Sequence, residues 1–137
     1  MSRPVNFTEA TYLALHAMAL AAASGETPLS IHGMAETLQA SEAHLAKVIQ
    51  RLSRSGLVQT TRGPKGGVVL AKKPDETTYL EIFEAIEGPL KPAGCVFGRD
   101  ECACEKCIFG DFISKMTEET RAWLKANTLA DFANFGE

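Results

Sequence analysis

Apolar residues at helical spacing predict two short helices that follow one another closely. In 31–38 they recur at i, i+3, i+4 and i+7, and Ser30 precedes them as an N-cap. The same spacing repeats in 45–52, where Ser41 is the cap and Gly56 ends the helix in a left-handed conformation. Two helices joined by so brief a break are typical of a helix-turn-helix.

A longer apolar run precedes this pair and predicts a first helix that reaches Ala23. Asn6 and Glu9 have the spacing of a capping box, and Ser24-Gly25 ends the run. Because the run is apolar nearly all round, we expect this helix to be buried on most sides. His16 is therefore interpreted as a core or interface residue.

A β-hairpin and a further helix are predicted after Gly56. The short β-prone run 57–60 and the return run 68–71 flank the turn residues 63–67. Thr78 and Glu81 then form a second capping box, which opens a helix that Gly88-Pro89 closes. Helix-turn-helix followed by hairpin is the winged-helix pattern.

The periodicity stops between Leu90 and about Phe109, and a last helix is expected from about Asp111 to Ala126. Its apolar residues are Phe112, Ile113, Met116, Trp123 and Leu124. We expect a mainly α fold with a small β-hairpin, divided into a winged helix-turn-helix domain (1–89), a cysteine-rich sensor loop (90–110) and a dimerisation helix with its tail (111–137).

Charge is distributed unevenly, which points to a nucleic-acid partner despite the net charge of −3. Residues 41–73 hold seven basic side chains and one acidic one. A local basic surface is what phosphate binding requires, because counterion release depends on local contacts. The candidate DNA-binding residues lie on the outer side of the third helix and at the hairpin tip, and they are His44, Lys47, Arg51, Arg54, Arg62 and Lys65. Glycines in the turn would let the backbone approach a phosphate closely.

Four cysteines fall within 13 residues: Cys95, Cys102, Cys104 and Cys107. In a cytosolic protein such a cluster is more often a metal site than a disulfide framework. Thiolates bind iron–sulfur clusters and zinc alike, and thiol oxidation is the remaining possibility.

Several stretches resemble the IscR/NsrR-type winged-helix regulators. The most specific is the wing motif RGPKGGVVLA within 56–89, followed by "EGP" and the cysteine cluster; the upstream helix-turn-helix and the first helix also fit. The resemblance implies a homodimer in which the helix over about 111–126 crosses its twin, with Phe112, Met116 and Trp123 buried at the interface. It also implies a palindromic operator, with the recognition helix in the major groove and Arg62 in the minor groove.

The resemblance further implies an iron–sulfur cluster whose state changes DNA affinity. The expected ligands are Cys95, Cys102 and Cys107, with Cys104 an alternate or a fourth; Glu9 is a second candidate for the fourth ligand, against its simpler reading as a helix cap. Gly110 stands where one subgroup has a histidine ligand. Whether the cluster is [2Fe–2S] or [4Fe–4S] stays open, as do structural zinc and thiol chemistry.

Other function classes are disfavoured by the sequence. There are no paired carboxylates in a supported site, no nucleophile–base arrangement and no P-loop, so we expect no enzyme. The longest apolar stretch, 12–23, is too short to span a membrane, and a cytoplasmic location follows. We therefore expect a DNA-binding transcriptional repressor controlled by an iron–sulfur cluster, or the same fold with a zinc-bound or thiol-based loop. A protein-interaction module would not need the basic helix face.

Overall fold

The computed structural model describes residues 5–90 and 106–132, which form five α-helices and one two-stranded antiparallel sheet. In chain order these are α1 (Glu9–Ser24), α2 (Ile31–Leu38), α3 (Glu42–Arg54), β1 (Val58–Thr61), β2 (Gly67–Leu70), α4 (Tyr79–Glu87) and α5 (Phe112–Ala126). Short 3-10 turns occur at Pro74–Glu76 and Leu129–Asp131. The mainly α fold with one small hairpin is as expected from the sequence.

Helix α1 begins at a different cap from the one expected. The Thr8 hydroxyl accepts a hydrogen bond from the Thr11 N–H at 3.2 Å, so Thr8 is the N-cap and Glu9 is the first helical residue. The predicted Asn6–Glu9 capping box is therefore wrong. The physical reason is tertiary: the Thr8 hydroxyl is also bonded to the carboxylate of Glu87, at the end of α4.

Helix α1 is central to the main core. It packs against α2, α3, α4 and β2, and Ala14, Ala17 and Met18 are essentially inaccessible. Small side chains let the neighbouring helices approach closely. His16 is exposed, with Nδ1 2.6 Å from the Tyr12 carbonyl oxygen, so its placement in the core is wrong and an interface position stays a prediction.

The helix-turn-helix is built by the residues that the sequence pattern indicated. The Ser30 hydroxyl caps α2 through the Gly33 N–H, and the Ser41 hydroxyl caps α3 through the His44 N–H. At the end of α3, Gly56 has a φ of 77°, and Leu57 donates its N–H to the Leu52 carbonyl at 3.0 Å. This is a Schellman ending, which turns the chain directly into β1.

The hairpin forms the wing and is fastened to the segment before α2. β1 and β2 pair from Val58 with Leu70 to Thr61 with Gly67. Leu29 and Val68 exchange two backbone hydrogen bonds of 3.1 and 2.8 Å. The wing is thus held at its base by a third chain segment.

Helix α4 has the predicted capping box, in which Thr78 and Glu81 satisfy each other's backbone and side-chain groups. Burial would raise the pKa of Glu81, but hydrogen bonds from Lys72, 2.7 Å away, and from the Thr78 backbone outweigh it and hold that pKa below its usual value. Lys72 is therefore already paired with a carboxylate of its own chain, which sets it apart from the unpaired basic residues of this half.

The residues after α5 return to the main core instead of forming an appendage. Leu129 is buried in that core and donates its N–H to the Thr77 carbonyl at 3.1 Å. Leu124 packs in a second cluster with Leu80, Phe83 and Leu90. Packing therefore crosses the predicted boundary between 1–89 and 111–137, and the division itself stays a prediction.

Candidate DNA interface and cysteine segment

Helix α3 has the two-sided character that the sequence indicated. Its apolar side, formed by Leu45, Val48, Ile49 and Leu52, is buried in the main core. Lys47 and Arg54 are exposed, and His44 is half-buried. Within the described residues, none of these three side chains makes an ion pair, so all three are available to contact a ligand.

Arg51 differs from the other basic residues of α3. Its Nη2 donates a hydrogen bond of 2.5 Å to the carbonyl oxygen of Ile86, near the end of α4. The residue as a whole remains exposed. Helical periodicity puts Arg51 beside Lys47 and Arg54 but cannot reveal this bond, because its acceptor lies 35 residues away.

Arg62 and Lys65 are exposed at the tip of the wing. The glycines beside them are required by the chain's own backbone. A Cβ on Gly67 would lie 2.5 Å from the Leu29 carbonyl oxygen, and one on Gly66 would lie 2.3 Å from the Thr61 carbonyl oxygen. Such distances exclude a side chain at either position. The two glycines are therefore required by the packing of the wing itself, whether or not the wing approaches a phosphate.

His32 is on the surface, and it joins the two helices of the helix-turn-helix. Its Nδ1 lies 3.0 Å from Oε2 of Glu42, at the start of α3, and its Nε2 lies 3.1 Å from Oε1 of Glu36, on α2. The hydrogen bond with Glu42, followed by the charges of Glu36 and Glu42, raises the pKa of His32 above its ordinary value of 6.5.

Only part of the predicted metal site can be placed. Cys95, Cys102 and Cys104 lie outside the described residues. Cys107 is exposed, it is not in a disulfide, and its carbonyl accepts the Gly110 N–H at 2.9 Å. In the ranges 5–90 and 106–132, no three His, Cys, Asp or Glu residues are grouped as metal ligands.

Glu9 lies on the exposed side of the first turn of α1. It borders a cavity of about 300 Å³ between α1 and the turn that joins α2 to α3. Tyr12, His16 and His44 line the same cavity. Because Thr8 is the N-cap of α1, Glu9 is the first helical residue and its carboxylate does not take part in a capping box.

Helix α5 has two apolar stripes. Ile113 and Leu124 face the rest of the chain, together with Thr117, which the sequence pattern did not include. Phe112, Met116 and Trp123 form the other stripe, since their positions fall within about 40° of one another around the helix. Phe112 is 57% exposed, Trp123 is 58% exposed and Met116 is half-buried.

An apolar cavity of about 190 Å³ lies beside the outer stripe of α5. Trp123 borders it, and its ring centroid is 5.7 Å from that of Tyr79. Leu15, His16 and Ala19 of α1 also line it. Helices α1 and α5 therefore both contribute to one apolar cavity.

The end of α4 connects several parts of the molecule. The Thr11 hydroxyl, fully buried on α1, donates to Oε1 of Glu87 at 2.7 Å. Glu84 accepts the N–H of Leu90 through Oε2 at 2.8 Å, and the chain continues from Leu90 towards Cys95.

Comparisons with known proteins agree with this geometry. The chain is 31% identical over 116 residues to the transcriptional regulator CymR of Bacillus subtilis, covering 85% of this chain and 80% of that protein. It is 26% identical over 112 residues to IscR of Photorhabdus laumondii, covering 81% of this chain and 68% of that protein.

Solved structures give the same result for the fold. CymR, the global cysteine regulator of B. subtilis, superposes with a TM-score of 0.81 at 26% identity, over 97% of this chain and 99% of that one. IscR of T. potens gives a TM-score of 0.74 at 26% identity, over 97% and 93% of the two chains.

The relatives are transcriptional regulators and not enzymes, as the sequence led us to expect. None of the helices in the described ranges is long and apolar enough to cross a membrane. The family model that matches residues 7–134 is described as an iron-dependent transcriptional regulator. This chain belongs to the Rrf2 family of helix-turn-helix transcriptional regulators.

Proposed function

We propose that this Rrf2-family regulator is a cytoplasmic, sequence-specific repressor that binds a palindromic operator as a homodimer, with an affinity set by an iron–sulfur cluster. The observation that carries the DNA-binding part is the seating of α3. Its apolar side is fixed in the core while Lys47 and Arg54 are exposed beside a wing whose tip carries Arg62 and Lys65.

The DNA contacts follow from this arrangement. Helix α3 enters the major groove, where Lys47 and Arg54 meet phosphates and base edges with His44 at the margin. The wing reaches the adjacent minor groove, whose negative potential favours the guanidinium of Arg62. We call His44, Lys47, Arg51, Arg54, Arg62 and Lys65 the basic surface.

The homodimer is supported by the outer stripe of α5. Phe112, Met116 and Trp123 lie on one side of the helix, and two of them are more than half exposed in the single chain. Large apolar side chains grouped in this way mark an interaction surface. A second copy related by a two-fold axis would cover both stripes at once.

The cluster is supported by the four cysteine thiolates available as donors and by the description of the family as iron-dependent. Cys95, Cys102 and Cys107 would hold it, with Cys104 or the partner subunit's copy of Glu9 as the fourth ligand. Cys107 is exposed and is not in a disulfide, so its thiol is accessible for ligation. When bound, the cluster supplies a charge and redox state to which this segment responds.

A thiol-based regulator without a cluster is the second candidate. It is favoured by the likeness to CymR, whose solved structure is described as that of a global cysteine regulator. In that case Cys107 and its neighbours would respond by oxidation, and zinc on the same cysteines would make the segment structural.

The DNA-binding part is tested by a matched pair of double variants. The probe is a fluorescein-labelled duplex enriched from a random library by the wild-type protein. Lys47→Ala with Arg54→Ala should weaken binding at least 100-fold and lower the salt slope by about 1.8, since each phosphate contact contributes about 0.9. Lys115→Ala with Lys125→Ala removes the same charge from α5 and should change neither value. Equal binding by both double variants would refute the proposed interface.

A further inference from the structure

We infer that Arg51 is a positioning residue that couples the recognition helix to the cysteine segment through the end of α4. The inference rests on the proposed function, and it changes the role of Arg51 within the basic surface. The feature that prompts it is the hydrogen bond from Arg51 Nη2 to the Ile86 carbonyl oxygen.

The acceptor makes this bond stronger than an ordinary surface contact. Ile86 is the penultimate residue of α4, where a helix leaves carbonyl groups without an internal partner. The carbonyl of Glu84 already accepts the N–H of Gly88. A guanidinium at the end of a helix satisfies such an orphan carbonyl and also interacts favourably with the helix dipole.

The same helix end is held from two further directions. Thr11 on α1 donates to the Glu87 carboxylate at 2.7 Å, and the Glu84 carboxylate accepts the Leu90 N–H at 2.8 Å. Leu90 is buried, and Cys95 follows it by five residues. The end of α4 is therefore bonded both to α3 and to Leu90, the last described residue before the cysteine segment.

The position of Arg51 on α3 makes the coupling relevant to DNA. Lys47 precedes it by one helical turn, and Arg54 follows it by about one turn on the same side. The bond from Arg51 therefore ties the side of α3 that meets DNA to the end of α4. Loss of the bond would leave α3 folded, since its apolar side is buried, while removing its attachment to the end of α4.

The test compares Arg51→Gln with Arg54→Gln, an arginine of the same helix that makes no hydrogen bond within the described residues. Binding to the selected duplex is measured for protein reconstituted with ferrous iron and sulfide and for the apo protein. It is also measured for reduced and diamide-oxidised protein. For each variant the readout is the ratio of the two dissociation constants, together with the salt slope.

In the wild type, one of the two pairs of states should give different dissociation constants. For that pair, we expect the ratio of the two constants to fall to within about twofold of one in Arg51→Gln. Arg51→Lys, which keeps the positive charge and an N–H donor on a shorter side chain, should recover part of the ratio. Arg54→Gln should weaken binding in both states equally and keep the ratio. A variant that merely lost stability would show a lower melting temperature with the ratio unchanged.

Three results would overturn the inference, and they are distinguishable. A retained ratio in Arg51→Gln refutes the coupling and leaves the proposed function intact. A retained ratio with a salt slope lowered by about 0.9 identifies Arg51 as a phosphate contact instead. No response in the wild-type protein to either pair of states refutes the sensing part of the proposed function as well, while DNA binding stands.

Discussion

Nδ1 of His32 lies 3.0 Å from Oε2 of Glu42, and this contact links the first turn of α2 to the first turn of α3. Glu36 approaches the other ring nitrogen, Nε2, at 3.1 Å. Both nitrogens can donate only when the imidazole is protonated, so this pairing requires the charged form.

A pH dependence of stability follows from His32. Its pKa is raised in the folded protein, so the stabilisation is fully present below the unfolded value near 6.5 and is lost as pH rises through the folded pKa. Thermal unfolding of the wild type should therefore lose more stability above about pH 6.5 than that of His32→Gln. Both proteins keep His16 and His44, so the difference isolates His32; parallel curves would contradict the assignment.

Arg62 should confer a preference for narrow minor grooves. Arg62→Ala is expected to weaken binding to duplexes with A·T-rich flanks about tenfold more than binding to G·C-rich ones, because A-tracts have the more negative groove. Lys65→Ala, at the same wing tip, should weaken both kinds of duplex alike. Equal losses for Arg62→Ala on the two flanks would mean that the wing contacts only phosphates.

Gly67→Ala should destabilise the protein by about 2 kcal/mol, because the added Cβ would overlap the Leu29 carbonyl and force the wing away from its anchor. Denaturant unfolding measures the loss, and circular dichroism should report unchanged helix content. Lys65→Ala, which adds no atom near the backbone, is the control. Unchanged stability in Gly67→Ala would show that the wing base is not held tightly by Leu29.

Trp123→Glu should convert the proposed dimer into a monomer. A carboxylate on the outer stripe would be buried without a partner, so the dimer dissociation constant should rise at least tenfold. Sedimentation velocity at micromolar concentration gives the oligomeric state, and the melting temperature checks the fold, since Trp123 also contacts Tyr79. Lys125→Glu changes charge on another side of α5 and should remain dimeric. An undiminished dimer in Trp123→Glu would place the interface elsewhere.

Much of the fold was predictable because the signals are local. The caps Ser30 and Ser41 and the helix-ending Gly56 each act within a few residues of themselves, and all three occur as expected. Asn6 and Thr8 are both capable caps two residues apart. The contact with Glu87, far along the chain, decides between them.

The unpredicted roles of Arg51 and Leu129 depend on contacts between distant segments. Arg51 lies on the same side of α3 as the candidate DNA-binding residues Lys47 and Arg54. Only the packing of α4 against α3 gives its guanidinium an acceptor within the protein. Leu129 looks like part of a weak tail, yet it completes the main core beside α1. Thr117 is a local exception: its hydroxyl donates to the Ile113 carbonyl at 2.8 Å within the same helix, and this bond allows a polar residue to be buried.

Anaerobic purification bears most heavily on the proposal that the cysteine segment carries an iron–sulfur cluster. Visible absorption, iron, sulfide and zinc would be measured on one sample, and binding to the selected duplex would be compared before and after removal of the metal. We expect a brown protein with near-equal iron and sulfide, whose DNA affinity changes when the cluster is removed and whose colour is lost in Cys107→Ala. A protein that stays colourless after reconstitution with iron and sulfide, or that holds one zinc per chain, would contradict the cluster.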